Sequence, residues 1–278
     1  MDLKQRVVVV TGAGSGIGEA LAHSFVEAGA AHVVVADIDA EQAQRVALDV
    51  NGTAEEVDVR DEARIVDLVE RTERAHGPIG VFASNAGFVT TGGLEDSNDR
   101  IQAMWEVHVM SHIYAARAVL PQMIGNGGGY LLNTASAAGL LTQVGSLSYS
   151  VTKGAAVSLA EWLAVTHHHQ GIRVSVLCPQ AVRTNIIANS PDTVGAPPNG
   201  DQWESTVAGG DGTLEAAAVA TACLEAIEDE RFHVLPHPEV AEYAVRKATD
   251  VDRWLAGMRR FQGMLYPDGQ LPGDAIAP

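Results

Sequence analysis

Val7-Val8-Val9-Val10-Thr11-Gly12-Ala13-Gly14-Ser15-Gly16-Ile17-Gly18 reads as a strand that runs straight into a glycine-rich turn and a helix. Four consecutive valines do not alternate with polar residues. Such a strand has both faces covered, as in a parallel sheet with helices on either side. Gly12, Gly16 and Gly18 allow a tight turn, so that backbone N–H groups and the positive end of the next helix approach a pyrophosphate; Ser15 and Ile17 lie between them. A glycine turn alone says little, but its placement says more. The second strand ends at Asp37, nineteen residues after Gly18, where a carboxylate accepts hydrogen bonds from the hydroxyls of an adenosine ribose. That carboxylate would repel a 2′-phosphate, and Ala13, Ala36 and Ile38 supply no compensating cation, so NAD is expected rather than NADP. Asp37 and Asp39 are rival caps for the following helix.

Outward from this stretch, short β-branched runs alternate with helix-length amphipathic segments. Strands are expected at 6–10, 32–36, 53–58, 81–84, 129–133, 173–178 and 232–235. Helices are expected at 17–27, 40–50, 62–74, 98–123 with Pro121 near its end, 149–169 and 214–228. Gly29, Gly77 and Gly171 fall where left-handed helix caps are wanted. This pattern predicts a single α/β domain over 1–278, a Rossmann-type doubly wound parallel sheet of about seven strands with helices on both faces. Residues 185–212, rich in Pro and Gly, read as a substrate lid; the tail at 236–278 carries one more amphipathic helix, 240–258.

Composition narrows the function. Lys and Arg total 18 against 35 Asp and Glu, a net charge of −17, which repels nucleic acid and anionic membranes. Cys178 and Cys223, the two cysteines, form no metal-type pair and imply no disulfide framework. The apolar run after Met1 is too short for a secretion signal and no later stretch could span a bilayer, so a cytoplasmic protein is expected.

The chemistry is expected downstream, in Tyr149-Ser150-Val151-Thr152-Lys153, thirteen residues after Ser136. Four residues apart on a helix, Tyr149 and Lys153 share a face. A tyrosine working as a base near pH 7 needs its pKa lowered by roughly 3, about 4 kcal/mol, and a nearby ammonium, helped by the positive charge of an oxidised nicotinamide, acts in that direction. Ser136, at a strand end, can donate to a substrate oxygen and hold it.

These motifs together resemble the short-chain dehydrogenase/reductase family over about residues 7–184. The resemblance implies hydride transfer at a nicotinamide, interconversion of an alcohol and a ketone or aldehyde, and a homodimer or homotetramer. It implies catalytic roles for Ser136, Tyr149 and Lys153, with the last two also on the cofactor. It places Asp58 and Val59 at the adenine, Asn85-Ala86-Gly87 beside the cofactor, and Pro179, Val182 and Thr184 at its nicotinamide end. Two departures stand out. Gln180 replaces a usual glycine, and His108 falls where many members carry a catalytic asparagine. His108 either preserves the backbone contribution of that position and packs, or enters the proton path and adds a second titration.

Leu140, Leu141, Val144 and the Pro-rich lid suggest a mostly apolar substrate pocket, hence a hydrophobic or cyclic secondary alcohol. A rival within the family is a reductase of a polar or carrier-bound carbonyl, for which Arg183 is thin support. From another class, a nucleotide-sensing binding protein with little turnover is suggested by His108 alone. His167, His168 and His169 are consecutive and cannot share a helix face, so no metal site is expected. Trp203, Trp254 and His237 receive no role.

Overall fold

The computed structural model describes residues 1–186, 189–190, 211–266 and 274. Seven parallel strands form one sheet: β1 (Val7–Thr11), β2 (His32–Asp37), β3 (Thr53–Glu56), β4 (Ile79–Ser84), β5 (Gly129–Thr134), β6 (Ile172–Leu177) and β9 (His233–Val234). Their order is β3-β2-β1-β4-β5-β6-β9. The chain winds one way from β1 to β3 and the other way from β4 onward, so a crevice opens at the carboxyl ends of β1 and β4. This is the expected α/β fold, and the valine run explains it. Val7 and Val9 belong to the core on one face of the sheet, under α3 (Glu62–His76), α5 (Ser111–Gly125) and α7 (Leu147–His167). Val8 and Val10 belong to the core on the other, under α1 (Gly16–Glu27), α2 (Ala40–Asp49) and α8 (Ala216–Glu228).

Most element boundaries agree with the sequence reading within about two residues; four local differences have physical causes. The helix expected over 98–123 is three pieces: α4 (Asn98–Trp105), a π-helical turn (Glu106–Met110), and α5. Within that wider turn the Ser111 hydroxyl donates to the Val107 carbonyl at 2.5 Å, a side-chain bond that competes with the helical ladder. A short helix, α6 (Ala137–Leu141), follows β5 with Ser136 as its N-cap. Leu214–Glu215 is a strand, β8, paired with β7 (Val182–Arg183), so α8 begins two residues later than expected. The tail holds two helices, α9 (Glu239–Thr249) and α10 (Val251–Leu265), because Asp250 is extended and caps α10 by accepting from the Arg253 N–H.

Gly171 adopts the left-handed cap, whereas Gly77 pairs φ 91° with ψ −171°, a different positive-φ conformation. The lid read at 185–212, and Trp203 within it, lie mostly outside the described residues. No helix among the described residues is long and apolar enough to cross a membrane.

Candidate active site

The crevice is a cleft of about 1260 Å³ over the carboxyl edge of the sheet. Its floor at one end is the glycine turn. Gly12 has φ 63°, and a Cβ there would lie 2.7 Å from the Ala86 Cα, so only glycine lets the β1 and β4 ends approach this closely. Gly16 has φ 58° and faces the Thr184 side chain. Gly18 does not line the cleft: it is buried beneath the turn, where a Cβ would strike the Gly12 carbonyl. Among the described residues the Ser15 side chain caps none of the first amides of α1, whereas Asp39 and Asp61 cap α2 and α3. Uncapped amides at a helix start beside a glycine-rich turn suit a pyrophosphate.

Asp37 ends β2 at the cleft wall. Its Oδ2 accepts from the Gly14 N–H at 2.8 Å and its Oδ1 from Asp39 N–H at 3.0 Å. Asp39, not Asp37, caps α2, so the Asp37 carboxylate is left at the cleft wall. The sequence reading missed two cations here. Arg45 donates to the Gly14 carbonyl at 2.9 Å and pairs with Glu19 at 2.7 Å. Arg60 pairs with Asp58 at 2.6 Å and holds that carboxyl below its usual range. Arg45 lies in the middle of α2, a separation that no local motif reveals.

Asp58 and Val59 line the cleft beside Arg60. Asn85, Ala86 and Gly87 line the middle. The Asn85 side chain is spent on structure: Nδ2 donates to the Thr11 and Gly12 carbonyls at 3.1 and 3.3 Å, and Oδ1 accepts from the Thr134 hydroxyl at 3.1 Å. It ties the ends of β1, β4 and β5 together. Pro179, Gln180, Val182 and Thr184 form the far wall.

Ser136, Tyr149 and Lys153 meet in the same cleft. The contact between α6 and α7 makes this possible: a Cβ on Gly139 would lie 2.5 Å from the Lys153 carbonyl oxygen. Ser136 Oγ accepts from the Ala138 N–H at 3.1 Å. Lys153 Nζ donates to the Thr134 carbonyl at 2.9 Å and stands 5.7 Å from the Tyr149 ring centre.

The pKa of Tyr149 runs opposite to the sequence expectation. Burial pushes the phenol up, and the facing Ser136 hydroxyl is what pulls it back. Burial also brings Lys153 down to about 7, so the ammonium is itself only partly charged near neutrality and is held by a carbonyl. In this state the pair is poised as phenol and amine.

His108 lies below the cleft, not in its wall, fully buried in the π-helical turn. Its Nε2 accepts from the Phe88 N–H at 3.2 Å and its Nδ1 meets the Thr152 hydroxyl at 2.9 Å. Burial first, then the Lys153 charge, hold its pKa well below the usual histidine range. One turn on, His112 is also buried, and its ring nitrogens have no hydrogen-bond partner among the described residues. Burial, with Lys153 second, brings it down to about 3. Among the described residues no group of three His, Cys, Asp or Glu side chains could hold a metal ion.

A family model described as short chain dehydrogenase matches residues 6–195. The chain belongs to the short-chain dehydrogenase family. It is therefore an oxidoreductase, and its relatives fit that class. It is 33% identical over 248 residues to the 1-deoxy-11-beta-hydroxypentalenate dehydrogenase of Streptomyces exfoliatus, covering 86% of each chain. It is 33% identical to the meso-2,3-butanediol dehydrogenase of Serratia marcescens, covering 70% of this chain and 78% of that one. A short-chain dehydrogenase/reductase from Burkholderia phymatum, crystallised in complex with NAD, superposes with a TM-score of 0.80 at 30% identity, covering 91% and 96%.

This short-chain dehydrogenase carries further cleft residues that the sequence reading did not single out: Tyr243, Arg246, Met258 and Phe261, with Trp254, all on α9 and α10. Residues 254, 258 and 261 repeat at helical spacing, which is legible in sequence, but the surface they face is not.

Proposed function

We propose that this enzyme interconverts a secondary alcohol and a ketone with NAD(H), using Tyr149 as the proton-transferring group. The observation that carries the reading is the convergence of Ser136, Tyr149 and Lys153 in one cleft with the uncapped start of α1. A bound nicotinamide supplies the hydride acceptor or donor. Ser136 orients the substrate oxygen toward the phenol. Tyr149, protonated at rest because burial raises its pKa, gives its proton to the carbonyl oxygen in reduction; in oxidation it first passes that proton to the Lys153 amine and then, as phenolate, takes the hydroxyl proton. Lys153, with a pKa near neutrality, exchanges a proton readily on the same helix face. His108 is a positioning residue: it fixes Thr152 one residue before Lys153 and the Phe88 amide just past Gly87.

NAD is favoured over NADP by the Asp37 carboxylate in the cleft wall. Arg45, the cation that would answer a 2′-phosphate, is engaged by Glu19 and the Gly14 carbonyl. Support also comes from the Burkholderia relative in complex with NAD.

Mixing the protein with NAD and a panel of secondary alcohols tests the reading. Absorbance growth near 340 nm that disappears in Tyr149→Phe, with NADH still bound, is the expected result. NADH binding without any turnover would instead mark a nucleotide sensor, and tighter NADPH than NADH binding would overturn the cofactor choice.

A further inference from the structure

The helical hairpin of α9 and α10 is fastened along α9, while the apolar stripe of α10 is only half-buried. Before α9, the buried His237 accepts the Gln180 N–H on Nδ1 at 3.2 Å. Tyr243 donates its hydroxyl to Asp211 at 3.0 Å, and Asp211 also accepts from the Gln180 side chain at 2.9 Å. Lys247 Nζ donates to the Leu140 carbonyl at 2.6 Å. These bonds hold α9 on α6, the helix that starts at Ser136, and on the turn after Pro179.

Helix α10 is different. It packs on α9, yet among its residues none is buried. Its sequence is nevertheless amphipathic: Trp254, Met258 and Phe261 repeat at i, i+4 and i+7, while Asp252, Arg259 and Arg260 point the other way. That apolar stripe faces the cleft that holds Ser136 and Tyr149, across from Val89, Val107 and Leu141. An apolar helix face forms a wall when what it meets is itself apolar.

Resting on the function proposed above, we infer that α10 is the specificity wall of the substrate site and that its stripe covers the hydrocarbon body of a bulky, ring-bearing secondary alcohol. The stripe shares one cleft with the groups that handle the hydroxyl, and it sits on a base bonded to the helix that Ser136 caps. An alcohol held at Tyr149 and Ser136 with a cyclic body pointing outward meets Trp254 and Phe261, whose rings offer broad contact at small entropic cost.

The probes are decahydro-2-naphthol and 2-butanol, with NAD, compared in the wild type, Trp254→Ala and Phe261→Ala. The expected result is a kcat/KM ratio favouring the bicyclic alcohol in the wild type and falling about tenfold in each variant. An equal loss for both alcohols would mean a structural role and would overturn the inference. So would an unchanged ratio with a smaller sedimenting species, because a second copy of the chain would then cover the stripe. Titration of the NADH complex with the corresponding bicyclic ketone separates the two proposals. Binding that Trp254→Ala abolishes, without turnover of either alcohol, keeps the wall and sinks the catalytic reading; no binding to the wild type sinks the wall.

Discussion

His108 donates from Nδ1 to the Thr152 hydroxyl at 2.9 Å. The direction follows from the other nitrogen: Nε2 accepts the Phe88 N–H, so it carries no proton, and the single proton of a neutral ring is on Nδ1. Thr152 in turn donates to the Ser148 carbonyl at 2.8 Å. Protonating Nε2 would turn an acceptor into a donor aimed at an N–H, within reach of the Lys153 charge. The histidine is locked neutral.

The rate profile of His108→Asn is therefore expected to keep the wild-type shape from about pH 6 to 9, because burial keeps the His108 ring neutral there and an amide does not ionise. An amide can accept from Phe88 and donate toward Thr152 as the imidazole does. His108→Leu leaves the Phe88 N–H without its acceptor, while the Thr152 hydroxyl keeps its bond to the Ser148 carbonyl, and chemical denaturation should register a loss of about 1–3 kcal/mol. An extra ionisation in the wild-type profile that His108→Asn removes would contradict this.

Gly139→Ala tests the closeness of α6 and α7. The new methyl must sit about where the Lys153 carbonyl already is, so Ser136 shifts relative to Tyr149. A displacement of about 1 Å costs on the order of a hundredfold in rate. Steady-state kinetics should show a fall in kcat, while NADH affinity by fluorescence titration stays near wild type.

Lys153 predicts a pH-dependent stability. In the unfolded chain the amine titrates at its ordinary value of 10.5, and in the folded protein at about 7. Between those values the unfolded chain binds more protons, so stability rises with pH and a penalty builds as pH falls toward 7. Below about pH 7 that penalty is complete, on the order of a few kcal/mol. Lys153→Met should melt higher than the wild type at pH 6, with the gap closing toward pH 10, although it lacks turnover. Equal melting temperatures across that range would refute the buried-amine account.

His112 supplies an acid limb of the same sign. Its pKa is about 3 against an ordinary value of 6.5, so stability is lost as pH falls through that window. The ring also leaves both nitrogens without partners among the described residues. His112→Leu should raise the melting temperature and flatten the fall between about pH 6 and 4, as followed by calorimetry.

The sheet was legible because its signal is local and redundant: Val7 to Val10, and the valines of β2, are buried on both faces and say so in composition. The glycine turn, Ser136, Tyr149 and Lys153 were legible because chemistry constrains both residue type and spacing. What escaped was long-range. Arg45 reaches the Gly14 carbonyl from the next helix, His237 meets the Gln180 amide across 57 positions, and the stripe of α10 shows periodicity but not destination. The Tyr149 pKa was misjudged because a sequence shows which charge is near, but not how completely both groups are buried. The π-helical turn at His108 escaped because one extra backbone residue leaves the apolar pattern almost intact.

The two rims of the sheet carry a last consequence. One rim strand, β3, is four residues long and ends in Glu55 and Glu56; the other, β9, is just two residues long. Short or acidic borders make poor templates for strand addition, because few main-chain groups are on offer and like charges would face each other. Pairing of either rim with a strand of another chain is therefore disfavoured from the outset.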